Sequence, residues 1–303
     1  MITREVQAFF DFARECAPAD GAATARACFL VAPEAFSLAA QSASDNHYMD
    51  LSVSVDPLRA LAQHQALAEA LSRSLPTFSF PGRADTPDAL FPNNVFATTP
   101  GKLILGHMRH PVRQAEARRE DIRAFFASLM HYEELDLSAQ AGVCELTGSL
   151  VIDHRRRIGY CGLGERCDEA GARAMHAAFG LRATLLFDLA PGEYHANVVL
   201  SILAGRAAVV AADGFALGAV AHAIAEFYAP HAIELSPAQK QAFAGNCLAL
   251  RSDEAWISAA GAEALEAAQR ECLEGAGFSL RPIPLDEIEK AGGSLRCCIA
   301  EVF

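Results

Sequence analysis

The chain ends in Gly292-Gly293-Ser294-Leu295-Arg296-Cys297-Cys298-Ile299-Ala300-Glu301-Val302-Phe303, a glycine pair followed by a short β-branched and aromatic run. Counting back from Cys297 in steps of 48 to 51 residues reaches a polar residue at the edge of an apolar run each time: Asn246, His195, Glu145, Asn94 and Asn46. Such a steady spacing is typical of a supersecondary unit that is repeated along the chain. We therefore predict five repeated units around a common centre, with the C-terminal run completing the sheet of the first unit and closing the ring.

Each unit is predicted to contain strands and one helix. Buried strand-like runs come first, at 27–33, 88–96, 144–152, 195–200 and 246–250. A helix follows in each unit: Asp56 and Pro57 are a typical helix start, Pro111 opens a helix predicted to reach Met130, and another is predicted near 263–274. The expected architecture is a ring of sheets with outer helices in a single domain, residues 1–303, with 1–26 as an N-terminal lead-in.

Composition excludes several classes of partner and cofactor. The net charge of −12 argues against a nucleic acid or an anionic membrane surface, because both require a basic face. Nine cysteines without a CxxC pair are typical of reduced, buried thiols, so we expect a cytoplasmic protein. No apolar run approaches membrane-spanning length, and we identify no signal peptide. The spacing of cysteine and histidine indicates no metal site, and no nucleotide-binding loop is present.

A cysteine, a histidine and a carboxylate occupy equivalent edges of different units: Cys297, His195 and Glu145. A thiolate can attack a substrate while an imidazole carries a proton, and a carboxylate can hold a planar cation through two hydrogen bonds. Taken one by one, such residues are more often structural, since a cysteine is usually a small buried apolar residue. Their shared spacing favours one common pocket.

Five motifs occur in order along the chain: Phe91-Pro92-Asn93-Asn94-Val95-Phe96, Met108-x-x-Pro111-x-Arg113-x-x-Glu116, Glu145-x-Thr147-Gly148-Ser149-Leu150, Tyr194-His195-x-Asn197-Val198 and Gly292-Gly293-Ser294-x-Arg296-Cys297. In this order they resemble the superfamily of arginine deiminases, amidinotransferases and dimethylarginine hydrolases, especially its citrulline-hydrolase-like branch. The resemblance extends from about Val31 to the C-terminus. It implies an α/β fold, the five-bladed α/β propeller called a pentein, with pseudo-fivefold ββαβ-type repeats, which agrees with the predicted repeat.

The resemblance also implies roles for individual residues. Cys297 is expected to be the nucleophile, His195 the general acid and then base, and Glu145 the carboxylate that grips the substrate nitrogens. The expected substrate-binding residues are Asp88, Asn94, Asn46 and two arginines for the α-carboxylate, Arg109 and Arg166. The chain departs from the deiminase pattern at two positions, because Asn94 replaces an aspartate and Leu146 replaces a glycine.

Asn94 favours a particular reaction. Two carboxylates suit a charged guanidinium, whereas a neutral ureido oxygen prefers an amide donor. We therefore expect a hydrolase that converts the guanidino or ureido group of arginine or citrulline-like amino acids to the amine, ammonia and CO2 through a covalent thiouronium-like intermediate. It needs no cofactor, its partner is the small amino-acid substrate, and a homo-oligomer is possible. The alternatives are an amidinotransferase, a single-step deiminase or dimethylarginine hydrolase, and a non-catalytic pentein such as the ribosome anti-association factors.

Overall fold

A computed structural model describes residues 1–16, 22–34 and 36–303 of the chain. Residues 17–21 of the expected lead-in lie outside the described residues. The described part of the chain contains sixteen strands, numbered β1 to β16 in chain order: Ile2–Thr3, Ala27–Val31, Thr77–Phe80, Phe96–Thr99, Lys102–Leu105, Glu133–Asp136, Leu150–Asp153, Ile158–Leu163, Ala183–Asp188, Leu200–Leu203, Ala207–Val210, Ala232–Glu234, Leu248–Arg251, Glu254–Ser258, Ser279–Ile283 and Ala300–Val302.

Helices lie between the strands throughout the described ranges. The α-helices, numbered α1 to α13 in chain order, are Val6–Glu15, Ala40–Ala43, Pro57–Ser72, Pro111–Gln114, Glu120–Ala124, Leu146–Ser149, Glu169–Ala178, Ala196–Val199, Gly218–Phe227, Pro237–Gln241, Ala259–Ala264, Ala267–Gly275 and Asp286–Glu289. Short 3₁₀ turns cover Pro87–Leu90, Pro92–Asn94, Glu116–Arg118 and Ala212–Gly214, and a π-helical turn covers Phe125–Leu129. No helix in the described ranges is long and apolar enough to cross a membrane.

The strands form five separate sheets, none of which is closed within the described ranges. Four sheets have three strands, in the orders β16-β2-β3, β4-β5-β6, β10-β11-β12 and β13-β14-β15, and the fifth has the order β1-β9-β8-β7. Each sheet contains one antiparallel pair followed by a parallel pair, for example β4 with β5 and β5 with β6. The four-stranded sheet has a second parallel pair, β1 with β9. The predicted α/β class is confirmed as a mixed α/β fold in which one strand arrangement occurs five times.

The C-terminal strand joins the sheet that the sequence predicted. β16 runs antiparallel to β2, with Ala300 opposite Phe29 and Val302 opposite Ala27. Most of the run 294–303 was wrongly predicted as strand, because residues 295–298 form a turn. The Cys298 amide donates to the Ser294 and Leu295 carbonyls, which closes this turn instead of a strand ladder.

The predicted strands at 88–96, 144–152 and 195–200 are also wrong at their beginnings. Short helical turns precede the strands: Pro87–Leu90 and Pro92–Asn94 in the first segment, Leu146–Ser149 in the second and Ala196–Val199 in the third. The remaining predicted strands lie within a few residues of their expected bounds. Apolar periodicity did not distinguish these turns from strands, because short buried segments are apolar in either conformation.

The turns connect neighbouring units at the predicted spacing. Asn197 Nδ2 donates to the Thr147 carbonyl over 3.1 Å, and Asn246 Nδ2 donates to the Asn197 carbonyl over 2.9 Å. The Arg296 amide donates to Asn246 Oδ1 over 3.0 Å. Asn46 is an exception, since it lies in the loop after α2 and not in such a turn. The last step of the count therefore does not reach an equivalent position.

Two predicted helices are interrupted. The helix from Pro111 to Met130 breaks at Arg119, whose backbone is extended and whose buried guanidinium donates to the Pro81 carbonyl over 2.9 Å. The helix predicted near 263–274 divides at Glu266, which starts α12 with a capping box. In contrast, the predicted start at Asp56 is confirmed, because its carboxylate accepts from the amides of the first turn of α3.

The described part of the lead-in packs on the sheet of the third unit. β1 pairs in parallel with β9, and α1 buries Phe9 and Phe10 completely or nearly so. The Phe9 ring lies edge-on to Tyr160 of β8 at a centroid distance of 5.4 Å. These contacts explain why the sheet containing β9 has four strands.

Candidate active site

Segments of several units surround a small cavity, and the figure of about 260 Å³ for its empty volume includes solvent at its mouth. Five of the residues expected at the site line this cavity: Asn46, Asp88, Asn94, Arg166 and Cys297. They come from segments that are far apart in sequence. The structure therefore brings together most of the residues that the sequence singled out.

Cys297 lies in the turn 295–298 and is 1% exposed. Its Sγ is 3.4 Å from Asn246 Nδ2 and 3.9 Å from Asn197 Oδ1. Burial raises the pKa of the Cys297 thiol, although the backbone at Ser294, the Asn246 amide and nearby arginines oppose the rise. The thiol is therefore protonated at neutral pH in the unliganded protein.

Cys298 is also buried but does not line the cavity, and burial raises its thiol pKa well above the ordinary value. The sequence predicts that alternation along a strand separates the two thiols. That premise is wrong, because both residues belong to a turn, although only Cys297 reaches the cavity.

Glu145 and His195 form a fully buried pair beside Arg166 of the cavity wall. His195 Nε2 lies 2.8 Å from Glu145 Oε2, across the predicted spacing of fifty residues. Burial raises the pKa of Glu145, but Arg166, His195 and Arg113 together lower it to about 2. Burial lowers the pKa of His195, and Glu145 only partly opposes this. The pair is therefore a carboxylate that holds a neutral imidazole at neutral pH.

Gly148 allows Asn94 to approach this pair. A Cβ on Gly148 would lie 2.6 Å from Asn94 Oδ1 and 2.8 Å from His195 Nε2. These distances are shorter than carbon normally tolerates, so the glycine leaves room for both side chains. Steric exclusion of a Cβ thus explains why glycine occupies position 148 in the Glu145-x-Thr147-Gly148 motif.

Asp88 and Asn94 supply hydrogen-bond acceptors that have no partner in the described part of the chain. Asp88 is 1% exposed, and Ser42 Oγ donates to its Oδ2, while Oδ1 has no donor. Asn94 Oδ1 is also buried without a donor. Burial raises the pKa of Asp88, with Arg113, Ser42 and Arg166 opposing the rise. Unpaired buried acceptors are unfavourable, so this wall favours a ligand with several N–H groups.

Arg166 is held at the cavity wall by acidic and backbone groups. Its guanidinium donates to Asp45 over 2.5 Å and to the Ser42 carbonyl over 2.9 Å, and lies 3.6 Å from Glu145. It also lies over the Tyr194 ring, 4.9 Å from the centroid. The structure places Arg166 in the cavity wall beside Asp88, Asn94 and Cys297.

Arg109 does not line the cavity, contrary to the expectation from sequence. Its side chain is 39% exposed and pairs with Glu165 and Asp45 at the rim, while its backbone amide donates to Glu145. Arg113 lies in the wall instead, 2% exposed, where it donates to the Phe91 carbonyl over 2.9 Å and to Glu116 over 3.0 Å. Arg113 and Glu116 belong to the motif Met108-x-x-Pro111-x-Arg113-x-x-Glu116. Their spacing of three residues allows an ion pair, and that spacing could have predicted a buried arginine at position 113.

Asn46 lines the cavity but uses its amide to fix a loop. Its Nδ2 donates to the Gly292 carbonyl over 3.1 Å, and its Oδ1 accepts from the Tyr48 amide over 3.1 Å. Gly292 has a φ of +71°, and a Cβ there would lie 2.4 Å from Asn46 Nδ2. Gly292 is thus required for this close approach.

Leu146 occupies the position where the resemblance leads us to expect glycine. Its φ is +27°, a region that residues with a side chain rarely adopt. The side chain is fully buried, so packing compensates for the strained backbone. The backbone conformation agrees with the expected glycine even though the residue differs.

The cavity wall combines a thiol, two unpaired acceptors and two guanidinium groups. Glu145 and His195 do not line the cavity, and their buried pair adjoins the wall at Arg166. Such a set can bind a molecule with a planar N–H-rich end and an anionic end, and it supplies a thiol that can act as a nucleophile and an imidazole that can carry protons. Within the described ranges, no cluster of His, Cys, Asp and Glu is suited to hold a metal ion.

Residues 32–303 match the sequence model of a family described as N,N dimethylarginine dimethylhydrolase, eukaryotic. The chain is also 26% identical over 258 residues to the uncharacterized protein YkgA of Bacillus subtilis (strain 168), covering 84% of this chain and 83% of YkgA.

Solved structures with the same fold include the N-terminal domain of ArgZ, an arginine dihydrolase from the Ornithine-Ammonia Cycle in Cyanobacteria, with a TM-score of 0.77 at 19% identity over 91% of this chain and 97% of that one. The structure of AgrE in its ternary complex with ornithine and NAD+ has a TM-score of 0.78 at 20% identity, covering 91% of this chain and 39% of AgrE. The structure of a dimethylarginine dimethylaminohydrolase adduct with S-methyl-L-thiocitrulline has a TM-score of 0.69 at 19% identity, covering 91% of this chain and 99% of that one. These likenesses agree with the mixed α/β fold.

Proposed function

The chain belongs to the N,N-dimethylarginine dimethylhydrolase family of the guanidino-group-modifying superfamily, and we propose that it is a cysteine-dependent hydrolase of the guanidino or ureido group of arginine or citrulline-like amino acids. The products are an ornithine-type amine, ammonia and CO2.

One observation carries this proposal: Cys297 shares a small cavity with Asp88 and Asn94, each of which has a buried oxygen without a donor. A guanidinium offers five N–H donors in one plane, and a ureido group offers three. Leaving a buried acceptor unpaired costs about 1–3 kcal/mol, so a ligand that pairs both oxygens recovers that free energy. Bound there, the central carbon of the group lies beside the thiol.

The protonation states of Cys297 and His195 before substrate binds suit the reaction. Cys297 carries a proton and His195 carries no charge, so the proton that leaves sulfur can pass through the imidazole to the departing nitrogen. Sulfur then bonds to the central carbon and ammonia leaves. The same imidazole next deprotonates water, which replaces sulfur and restores the thiol. Glu145 stays ionised and keeps the imidazole oriented.

A second cycle follows from the amide at Asn94. The first cycle on arginine gives citrulline, whose ureido oxygen needs a donor. An aspartate at this position offers only acceptors when ionised, whereas an amide can donate. A second attack at the ureido carbon releases another ammonia, and water then yields a carbamate that decomposes to CO2 and the amine.

Arg166 and Arg113 are proposed to hold the substrate α-carboxylate. Both line the cavity, and both are fixed by neighbours, Arg166 by Asp45 and Arg113 by Glu116. Pre-positioned guanidinium groups bind carboxylates well because little side-chain freedom is lost. Arg113 takes the part that the sequence assigned to Arg109.

We further propose that residues 1–303 form a single domain in which the five sheets surround one channel as a pentein propeller. The identical antiparallel-parallel order of the sheets and the hydrogen bonds between successive turns support this arrangement. All nine cysteines are unpaired, which supports a cytoplasmic location.

The test is to incubate the purified protein separately with arginine, citrulline and NG,NG-dimethylarginine and to measure ammonia, citrulline, ornithine and dimethylamine. We expect ornithine and ammonia from both arginine and citrulline. Citrulline and dimethylamine without ornithine would make the protein a single-step hydrolase of methylated arginine, as the family description suggests. Turnover that requires an added amine would indicate an amidinotransferase, and no turnover would favour a binding protein.

A further inference from the structure

Asn246 contacts both the sulfur of Cys297 and the backbone that carries it. The residue is fully buried, and its Oδ1 accepts from the Arg296 amide over 3.0 Å. Its Nδ2 donates to the Asn197 carbonyl over 2.9 Å and lies 3.4 Å from Cys297 Sγ. One amide group therefore binds the backbone N–H of the residue before Cys297 and also faces the sulfur.

We propose that Asn246 is a positioning residue for Cys297, fixing the turn that carries the thiol and donating a hydrogen bond to the sulfur when it ionises. The inference rests on the proposed function, in which Cys297 is the nucleophile.

The surroundings of the sulfur provide a partner for each protonation state. The thiol donates to Asn197 Oδ1 over 3.9 Å, while Asn246 Nδ2 lies 3.4 Å from both that oxygen and the sulfur. The Asn197 carbonyl accepts from Asn246 Nδ2 over 2.9 Å, which leaves one Nδ2 hydrogen for both Asn197 Oδ1 and the sulfur. When the thiol proton leaves, the charged sulfur becomes the stronger acceptor of that hydrogen, with no movement of the backbone. Asn197 is itself fixed, because its Nδ2 donates to the Thr147 carbonyl.

A neutral donor suits the position of Asn246 beside the Cys297 sulfur. The side chain of Arg296, the neighbouring cation, donates to Ser201 Oγ over 3.1 Å. Burial opposes ionisation of Cys297, and the hydrogen bond from Asn246 acts in the opposite direction. An amide stabilises the thiolate without adding a charge that would repel a cationic substrate.

The test is the rate at which iodoacetamide alkylates Cys297 as a function of pH, followed by mass spectrometry of the peptide that contains it. In Asn246→Ala we expect the midpoint of the rate profile to rise by about one pH unit, which corresponds to about 1.4 kcal/mol. Alkylation near pH 7.5 then slows about tenfold, while the plateau at high pH stays within about twofold. Asn246→Asp, of similar shape but without the donor, should raise the midpoint further.

Gln239→Ala is the matched control. Gln239 is another buried amide, and it donates to the Ala264 carbonyl over 2.9 Å and to Gln269 over 2.7 Å without contacting Cys297. This variant should lose stability but keep the wild-type midpoint. If lower stability alone changed the alkylation profile, the midpoint would shift in Gln239→Ala as well. A shift that occurs only in the Asn246 variants therefore reports loss of the hydrogen-bond donor.

An unchanged midpoint in folded Asn246→Ala or Asn246→Asp overturns the inference. If the alanine variant does not fold, the aspartate variant decides the outcome, and failure of both to fold means that Asn246 is structural and overturns it too. Alkylation requires no substrate, so a shifted midpoint in a protein that hydrolyses none of the tested amino acids would refute the proposed function alone.

Discussion

Cys297 and Cys298 are adjacent, yet only Cys297 lines the cavity. We predict that Cys297→Ser abolishes turnover, because the alcohol is a far weaker nucleophile than the thiol at this position. Cys298→Ala should retain most activity and lose only some stability, since it removes one buried sulfur. Rates of ammonia release, with circular dichroism as a folding control, check both variants. Residual turnover in Cys297→Ser together with inactive Cys298→Ala would reverse the assignment.

The reaction should be insensitive to pH across the neutral range. The pKa of His195 is lowered from 6.5, so the imidazole becomes charged, and unable to accept the thiol proton, only below about pH 6.5. The pKa of Cys297 is raised from 9.0, so the proton destined for the leaving nitrogen is lost only above about pH 9. We expect kcat/KM for citrulline to form a plateau between these limits. An alkaline limb near pH 7 would contradict this assignment.

Asn94→Asp should change which product accumulates. A carboxylate beside the ureido oxygen removes one donor, worth about 1–3 kcal/mol, and slows the second step roughly tenfold to a hundredfold. The ratio of ornithine to citrulline formed from arginine measures this effect. Asn93→Asp is a matched control, because Asn93 is buried next to Asn94 but does not line the cavity. An equal change in both variants would argue against a specific role for Asn94.

At the scale of single residues, the sequence predicted five residues of the cavity wall but not every residue of that wall. Arg113 was missed because the nearby Arg109 is also basic, and only the structure shows that Arg113 is buried in the wall while Arg109 pairs with Asp45 and Glu165. Ser42 and Asp45, which contact Asp88 and Arg166, were missed because the four-residue helix α2, which holds Ser42, and the turn after it, which holds Asp45, are too short to show a periodic pattern.

At the scale of elements, the glycine turn before Cys297 is a direct test of the site. We predict that Gly292→Ala lowers kcat/KM more than tenfold, because a Cβ would meet Asn46 and displace the loop over the cavity. Gly277→Ala is the control: its φ of +86° is equally unfavourable for alanine, but apart from its chain neighbours no described residue has an atom within 4 Å of the added Cβ.

Both glycine variants should lose about 1–2 kcal/mol of unfolding free energy from the backbone alone. Urea denaturation and initial rates measured on the same preparations separate the two effects. Equal losses of activity in the two variants would show that the contact with Asn46 has no functional consequence.

Element types were easier to predict than the turns between them. The helix start at Asp56 and the pairing of the C-terminal strand with β2 are confirmed, because capping residues and β-branched runs are local signals. The turns at Pro92–Asn94, Leu146–Ser149 and Ala196–Val199 were not predicted. Their conformation depends on hydrogen bonds to the neighbouring unit, which no short window of sequence contains.

At the scale of the whole molecule, the spacing of about fifty residues was the most informative feature of the sequence. It reappears as contacts between successive units, from Glu145 to His195 and from Asn246 to Cys297. Because equivalent turns lie side by side, residues far apart in the chain meet at one cavity. Residues at a regular spacing in the sequence are therefore brought together in space, although this spacing does not determine which substrate the site accepts.

The central claim, that Cys297 forms a covalent bond with the central carbon of the substrate, can be tested on the intact protein. Mixing the enzyme with arginine or citrulline, quenching in acid within one turnover and measuring the mass should give the protein plus the substrate minus ammonia. Peptide mapping should place this adduct on Cys297, and Cys297→Ser should lack it. Turnover without any adduct, or an adduct on another residue, would contradict the account.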